Sequence, residues 1–143
     1  MIIRPMTLDD YDALIALWTS ADGVQLRHAD SREGIQRYLI RNPGLSFVAE
    51  EGALLRGSIM AGHDGKRGYL QHLAVTLTHR RQGLGRQLVE RSLDALLKEG
   101  IQKSHVHVLS NNASAQAFWT RLGWQRRTDI ETYSVILEGD ANA

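Results

Sequence analysis

Three apolar or alternating runs follow one another closely in the middle of the chain: "LSFVAEE" (45–51), "ALLRGSIMAG" (53–62) and "GYLQHLAVT" (68–76). Only the turn residues "EG" and "HDGKRG" separate them, so they read as antiparallel strands joined by hairpins. From Leu84 the period changes. Leu84, Leu88, Val89, Leu93, Leu96 and Leu97 then mark one face of a helix, with Gly100 where a C-terminal cap belongs. A chain built this way must place a long helix against an antiparallel meander.

The flanks supply the remaining elements. "MIIRPM" reads as a short strand, and Thr7 with Asp10 three residues later reads as a helix N-cap box. Leu8, Tyr11, Leu14, Ile15 and Trp18 form the apolar face of the helix that follows. A second helix is expected from Ser31 to Ile40, stopped by "RNPG". After the long helix, "KSHVHVLS" reads as a strand, "ASAQAFWTRLG" as a short helix ended by Gly123, and "ETYSVIL" as a last strand, with a further short strand at "WQRR". The expected order is β-α-α-β-β-β-α-β-α-β, a mixed α/β class. Residues 1–138 read as one domain and 139–143 as a frayed tail.

Composition narrows the function. At 143 residues with 43% hydrophobic and 23% charged side chains, the chain suits one soluble globular domain. The net charge of +1 leaves no general attraction for nucleic acid or an anionic membrane, so electrostatic recognition must be local. With no cysteine there is no disulfide framework, no thiolate zinc site and no cysteine nucleophile. The first residues lack a signal peptide's apolar stretch and cleavage site, so the chain reads as mature, cytoplasmic sequence.

Local charge is found at "HRRQGLGRQLVE", where four arginines from Arg80 to Arg91 stand against one glutamate, a net of +3. A helix N-terminus offers unpaired N–H groups and the positive end of the helix dipole. Gly83 and Gly85 let that backbone approach a ligand, and Arg80, Arg81 and Arg86 add charge suited to a phosphate. Neither a Walker loop, which ends Gly-Lys-Ser/Thr, nor the three-glycine dinucleotide fingerprint fits the spacing. An arginine-rich turn on a solvated surface is the alternative.

Arg80-Arg81-Gln82-Gly83-Leu84-Gly85 resembles the R/Q-x-x-G-x-G/A signature of the GCN5-related N-acetyltransferases (GNAT). "NNASAQAFWTRLGWQ" resembles that family's N-x-x-A-x-x-x-Y-x-x-x-G-F block, with Asn112, Ala115, Trp119, Gly123 and Trp124 in register, and "HLAV" resembles its splayed fourth strand. Among subgroups the chain looks most like the small bacterial YpeA-like acetyltransferases. The resemblance implies a GNAT fold: a mostly antiparallel twisted sheet of six to seven strands with four helices, splayed at the fourth and fifth strands. It implies acetyl-CoA as co-substrate, no metal, and direct attack of a primary amine on the thioester in a ternary complex. Backbone groups of Leu73, Ala74 and Val75 would pair with the pantetheine arm, the amides from Arg81 through Gln82, Gly83, Leu84 and Gly85 to Arg86 would hold the pyrophosphate, and Asn112 would bond further along the arm. Arg80 and Arg81 side chains face solvent or the ribose phosphate.

The catalytic positions depart from the family pattern. Trp119 stands where many members carry a tyrosine acid, and an indole N–H does not transfer a proton at neutral pH. His107 occupies the place where ribosomal-protein acetyltransferases of this family carry a glutamate, so it is the first candidate for general base, a partly exposed strand histidine being the bland alternative. Tyr69 and Gln71 stand where other members carry a Glu or His base; Tyr69 could act through water or simply pack. By alternation His72 points to the opposite face, unless the strand bulges. His63 and Asp64 fit a hairpin turn or an acceptor site, and His105 with His107 makes a weak metal pair. The acceptor is a small-molecule amine or a protein amine, and an exposed edge strand after Tyr133 could support a homodimer. The competing function is an acyl-CoA-binding module that has lost catalysis.

Overall fold

A computed structural model describes residues 1–21 and 23–143. Five strands form one sheet in chain order: β1 (Ile2–Pro5), β2 (Phe47–Glu51), β3 (Leu54–His63), β4 (Gly68–Val75) and β5 (Ser104–Val106). The first three pairings are antiparallel, as the short turns require, whereas β5 returns parallel to β4 after a helical crossover. Four helices cover the sheet: α1 (Tyr11–Ser20), α2 (Arg32–Arg41), α3 (Leu84–Lys98) and α4 (Ala113–Arg121).

Each face has its own core. Leu84, Leu88, Val89 and Leu96 of α3 pack with Trp119 of α4 on Phe47, Ala49, Ile59, Ala61 and Leu70. Leu14, Leu17 and Trp18 of α1 and Ile35 of α2 pack on Val48, Met60 and Ala74 at the opposite face. The helical stripe on α3 differs from the expected one in one place: Leu97 is exposed and Ser92 is buried instead. Ser92 completes the 84–88–92–96 row and donates its hydroxyl to the Leu45 carbonyl at 2.8 Å, which satisfies a polar group inside the core.

At the chain start, the Thr7 amide donates to Asp10 Oδ2 at 2.9 Å, and the Arg4 guanidinium grips both oxygens of the same carboxylate. A 3₁₀ turn at Leu8–Asp10 therefore precedes α1. Ser31 caps α2 by accepting from the Gly34 amide at 3.1 Å.

Among the described residues the sheet has five strands rather than six to seven. "ETYSVIL" and "WQRR" form no strand, although their β-type composition suggested one. Tyr133, Val135 and Leu137, which alternation would put on one face, are 90%, 80% and 92% exposed and find no surface to cover. A strand is stabilised by cross-strand neighbours and burial rather than by propensity alone. The strand expected through "KSHVHVLS" is likewise cut to Ser104–Val106. Tail residues 140–142 are exposed yet bonded: the His28 amide donates to the Asn142 carbonyl at 2.8 Å and Arg27 to that of Ala141 at 2.9 Å.

Candidate active site

The arginine and glycine loop ends where α3 begins, with Gly83 as the N-cap residue at φ +80°. A side chain is disfavoured in that left-handed conformation, which is the physical reason for glycine there. Gly85 has a different reason. A Cβ on it would lie 3.2 Å from the Phe118 ring, so the bare residue lets the start of α3 press against α4. Arg81 is also left-handed, at φ +61°. Alternating left- and right-handed residues turn successive amides toward one side, an anion-binding arrangement.

The first intrahelical acceptance is Gln87 N–H to the Gly83 carbonyl at 3.1 Å. Among the described residues, the amides from Arg81 to Arg86 have no acceptor outside this geometry, so the loop presents a run of donors that a diphosphate would satisfy. Its side chains are partly engaged. Arg80 Nε donates to the Val75 carbonyl at 3.2 Å, Gln82 to the Thr78 carbonyl at 3.3 Å, and Arg86 to Glu90 at 3.1 Å.

Beside the loop, the sheet opens. β5 pairs only with Gly68, Tyr69 and Leu70, so Gln71–Val75 of β4 has β3 on one side and no strand on the other. Leu73, Ala74 and Val75 lie on this free edge, which an extended ligand can join as a strand would. Here β4 bulges. Ser58 and Met60 of β3, with one residue between them, face Ala74 and Gln71 of β4, with two between them. The extra residue sits at His72, in the left-handed region at φ +52°.

The bulge cancels the alternation that would have put His72 opposite Gln71. His72 lies on the α1 and α2 side: its ring stands edge-on to Trp18 at 4.7 Å between centroids, and its Nε2–H donates to Asp30 Oδ1 at 2.7 Å. Trp18 Nε1 donates to Ser58 Oγ at 2.8 Å, and that hydroxyl donates to the His72 carbonyl at 2.9 Å, which fixes the bulged backbone. Burial pushes the Asp30 carboxyl up, but hydrogen bonds from His72 and from the Arg27 amide outweigh it and hold the group below the usual carboxylate range.

Tyr69, His105 and His107 come together at the mouth of the opening. The ring of Tyr69 is 5.7 Å from that of His105 and 6.5 Å from that of His107, which is exposed just past the end of β5. Burial lowers the His105 pKa, and the neighbouring charges of Lys103, Arg127 and Arg67 add to that direction. Among the described residues no group of three His, Cys, Asp or Glu side chains could hold a metal ion. His63 and Asp64 are used by their turn: Gly65 N–H donates to His63 Nδ1 at 3.0 Å, His63 Nε2–H donates to Glu99, and Asp64 Oδ1 accepts from the Lys66 and Arg67 amides.

Asn112 stands at the N-cap of α4 and Trp119 within the helix. Asn112 Oδ1 caps the helix by accepting from the Ala115 amide at 3.0 Å. Trp119 is 7% exposed, wedged between Phe118 and Trp124 at 5.2 and 4.6 Å, so its indole faces the core.

A cleft of about 360 Å³ lies between α2 and the β3–β4 pair, lined by Asp30, Arg37, Tyr38, Arg41, Met60 and Gln71 among others. Sequence reasoning did not single out Asp30, Arg37, Tyr38 or Arg41. The signal for Tyr38 was its place three residues after Ile35 on the inward stripe of α2, whereas Asp30 lies in a loop with no period to betray it.

A family model described as "Acetyltransferase (GNAT) family" matches residues 11–124, most of the chain. Acetyltransferase ECA0875 of Pectobacterium atrosepticum is 32% identical over 139 residues, covering 97% of this chain and 94% of that protein. The structure of smu.2055 from Streptococcus mutans superposes with a TM-score of 0.72 at 28% identity, covering 87% of this chain and 84% of that one. The PaiA N-acetyltransferase of Thermoplasma acidophilum, solved in complex with coenzyme A, has the same fold at 19% identity, with a TM-score of 0.73 over 85% of this chain and 87% of that one.

Proposed function

The chain belongs to the GNAT family and is an acetyl-CoA-dependent acetyltransferase; from that premise we propose that it acetylates a primary amine by direct attack on the thioester. The observation that carries this reading is the run of unpaired amides from Arg81 to Arg86 set beside the free edge of β4. One arrangement suits the diphosphate of acetyl-CoA, and the other suits its extended arm.

In this reading the loop amides and the charges of Arg80, Arg81 and Arg86 hold the diphosphate, while Leu73, Ala74 and Val75 offer backbone groups to the arm. An amide at the bulge polarises the thioester carbonyl, since the extra residue frees a donor from the ladder. Asn112 and Trp119 contribute by fixing the α4 wall against α3. The acceptor enters from the α1 and α2 face as an ammonium ion, and a base takes one proton to give the neutral amine. Its nitrogen attacks the carbonyl carbon, the C–N bond forms and the C–S bond breaks, and the second nitrogen proton leaves with the coenzyme A thiolate as thiol. His107 is the base in this proposal, acting through water beside Tyr69.

The test begins with calorimetry of acetyl-CoA and continues with thiol release across an amine panel. Binding with turnover supports the proposal, and absence of heat overturns it. His107→Ala is expected to lower kcat/KM by about 10²- to 10⁴-fold. An unchanged kcat/KM would reassign the base. We further propose a homodimer, because Tyr133, Val135 and Leu137 are exposed apolar side chains close in sequence and the outer edge of β5 is unpaired among the described residues.

A further inference from the structure

The cleft between α2 and β4 has a charge order that says what enters it. At its inner end stands Asp30, with a side chain only 12% exposed, and on the β4 wall stands Gln71, the exposed residue immediately before the bulge. At its outer rim stand Arg37 and Arg41, one turn apart on α2 and both exposed. Neither arginine makes an ion pair or a side-chain hydrogen bond among the described residues, unlike Arg4, Arg86 and Arg127. Like charges four residues apart on a helix repel, so the pair is held at a small expense in helix stability.

The wall between these ends carries an orphan. Tyr38 Oη is buried and has no hydrogen-bond partner among the described residues. Burial pushes its phenol up, and the Gln71 carboxamide nearby pulls the other way without reaching hydrogen-bond geometry, so the hydroxyl stays protonated. An unsatisfied buried hydroxyl is destabilising unless something bonds to it. Asp30 is already matched by His72 and the Arg27 amide, which leaves the two arginines as the uncompensated charge of the cleft.

We infer that this cleft is an acceptor site for small amines that carry a carboxylate, the amino-acid class. The carboxylate rests on Arg37 and Arg41 at the rim, the Tyr38 hydroxyl donates to the body of the ligand, and the amine points inward past Gln71 toward the bulge. A volume of about 360 Å³ admits a molecule of amino-acid size. The inference rests on the acetyl transfer proposed above and adds the chemistry of its second substrate.

The experiment compares three pairs of acceptors that differ only in the carboxylate: L-lysine with 1,5-diaminopentane, L-phenylalanine with 2-phenylethylamine, and 4-aminobutyrate with propylamine. Thiol release is followed at saturating acetyl-CoA. At least one carboxylate-bearing member is expected to have kcat/KM about tenfold or more above its partner, and in the Arg37→Gln/Arg41→Gln variant its KM rises about 10- to 100-fold, erasing the preference. Tyr38→Phe is expected to raise KM up to about tenfold while leaving the melting temperature equal or higher, a combination that a purely structural hydroxyl would not give. Preference for the carboxylate-free members, for peptide amines, or a KM indifferent to both arginines overturns the inference while leaving acetyl transfer intact. Absence of turnover with every amine, despite acetyl-CoA binding by calorimetry, overturns the functional reading and this inference with it.

Discussion

Gly83 and Asp10 show how single residues carry two different kinds of load. Gly83 holds φ +80° with open space around it, so replacing it tests backbone conformation and nothing else. Gly83→Ala is expected to lower stability by about 1 kcal/mol and to weaken acetyl-CoA binding, read by thermal unfolding and calorimetry on the same sample. Asp10 carries charge. Burial pushes its carboxyl up, but Arg4 and the Thr7 amide prevail and hold it below the usual carboxylate range. Because the folded pKa is the lower one, this group's contribution is complete above pH ~4 and fades as pH falls through the folded value. Asp10→Asn should therefore cost about 1–2 kcal/mol at neutral pH, discounted for the part-exposed Arg4, and the gap from the parent should close in acid. A gap independent of pH would place the effect in packing instead.

Among the elements, what sequence could and could not reveal follows from where each signal lies. The meander was legible because Phe47–Glu51, Leu54–His63 and Gly68–Val75 are short β-type runs bounded by turn residues, and α3 because Leu84–Lys98 buries one face and so writes a helical period into the chain. "ETYSVIL" misled because alternation without a partner reads the same as alternation with one. The loop from Arg80 to Gly85 was legible as a glycine-bearing helix start since its chemistry is local. The His72 bulge was not, for it depends on the register between β3 and β4, set by residues far apart in sequence. Asp30 became a neighbour of His72 only through that bulge. The weakest seam is the three-residue pairing of β5 with β4, so amides of Ser104–Val106 should exchange with deuterium faster than those of β3. Acetyl-CoA should slow exchange along Gln71–Val75 by occupying the free edge, and unchanged exchange there would argue against strand-like binding.

At the scale of the whole molecule, the exposed apolar residues near the C-terminus need an explanation that one chain does not supply. Val135→Asp with Leu137→Asp is expected to abolish concentration-dependent association in analytical ultracentrifugation, while acetyl-CoA affinity stays unchanged. A parent that sediments as a monomer at every concentration would remove the homodimer. The arrangement of the two faces has a different consequence. The amide loop opens α3 on one side of the sheet, and the acceptor cleft lies under α2 on the other, with the gap beside Gln71–Val75 between them. An inhibitor made by tethering an amine to coenzyme A would therefore have to thread that aperture, and its linker would tolerate bulk at either mouth but none at the waist.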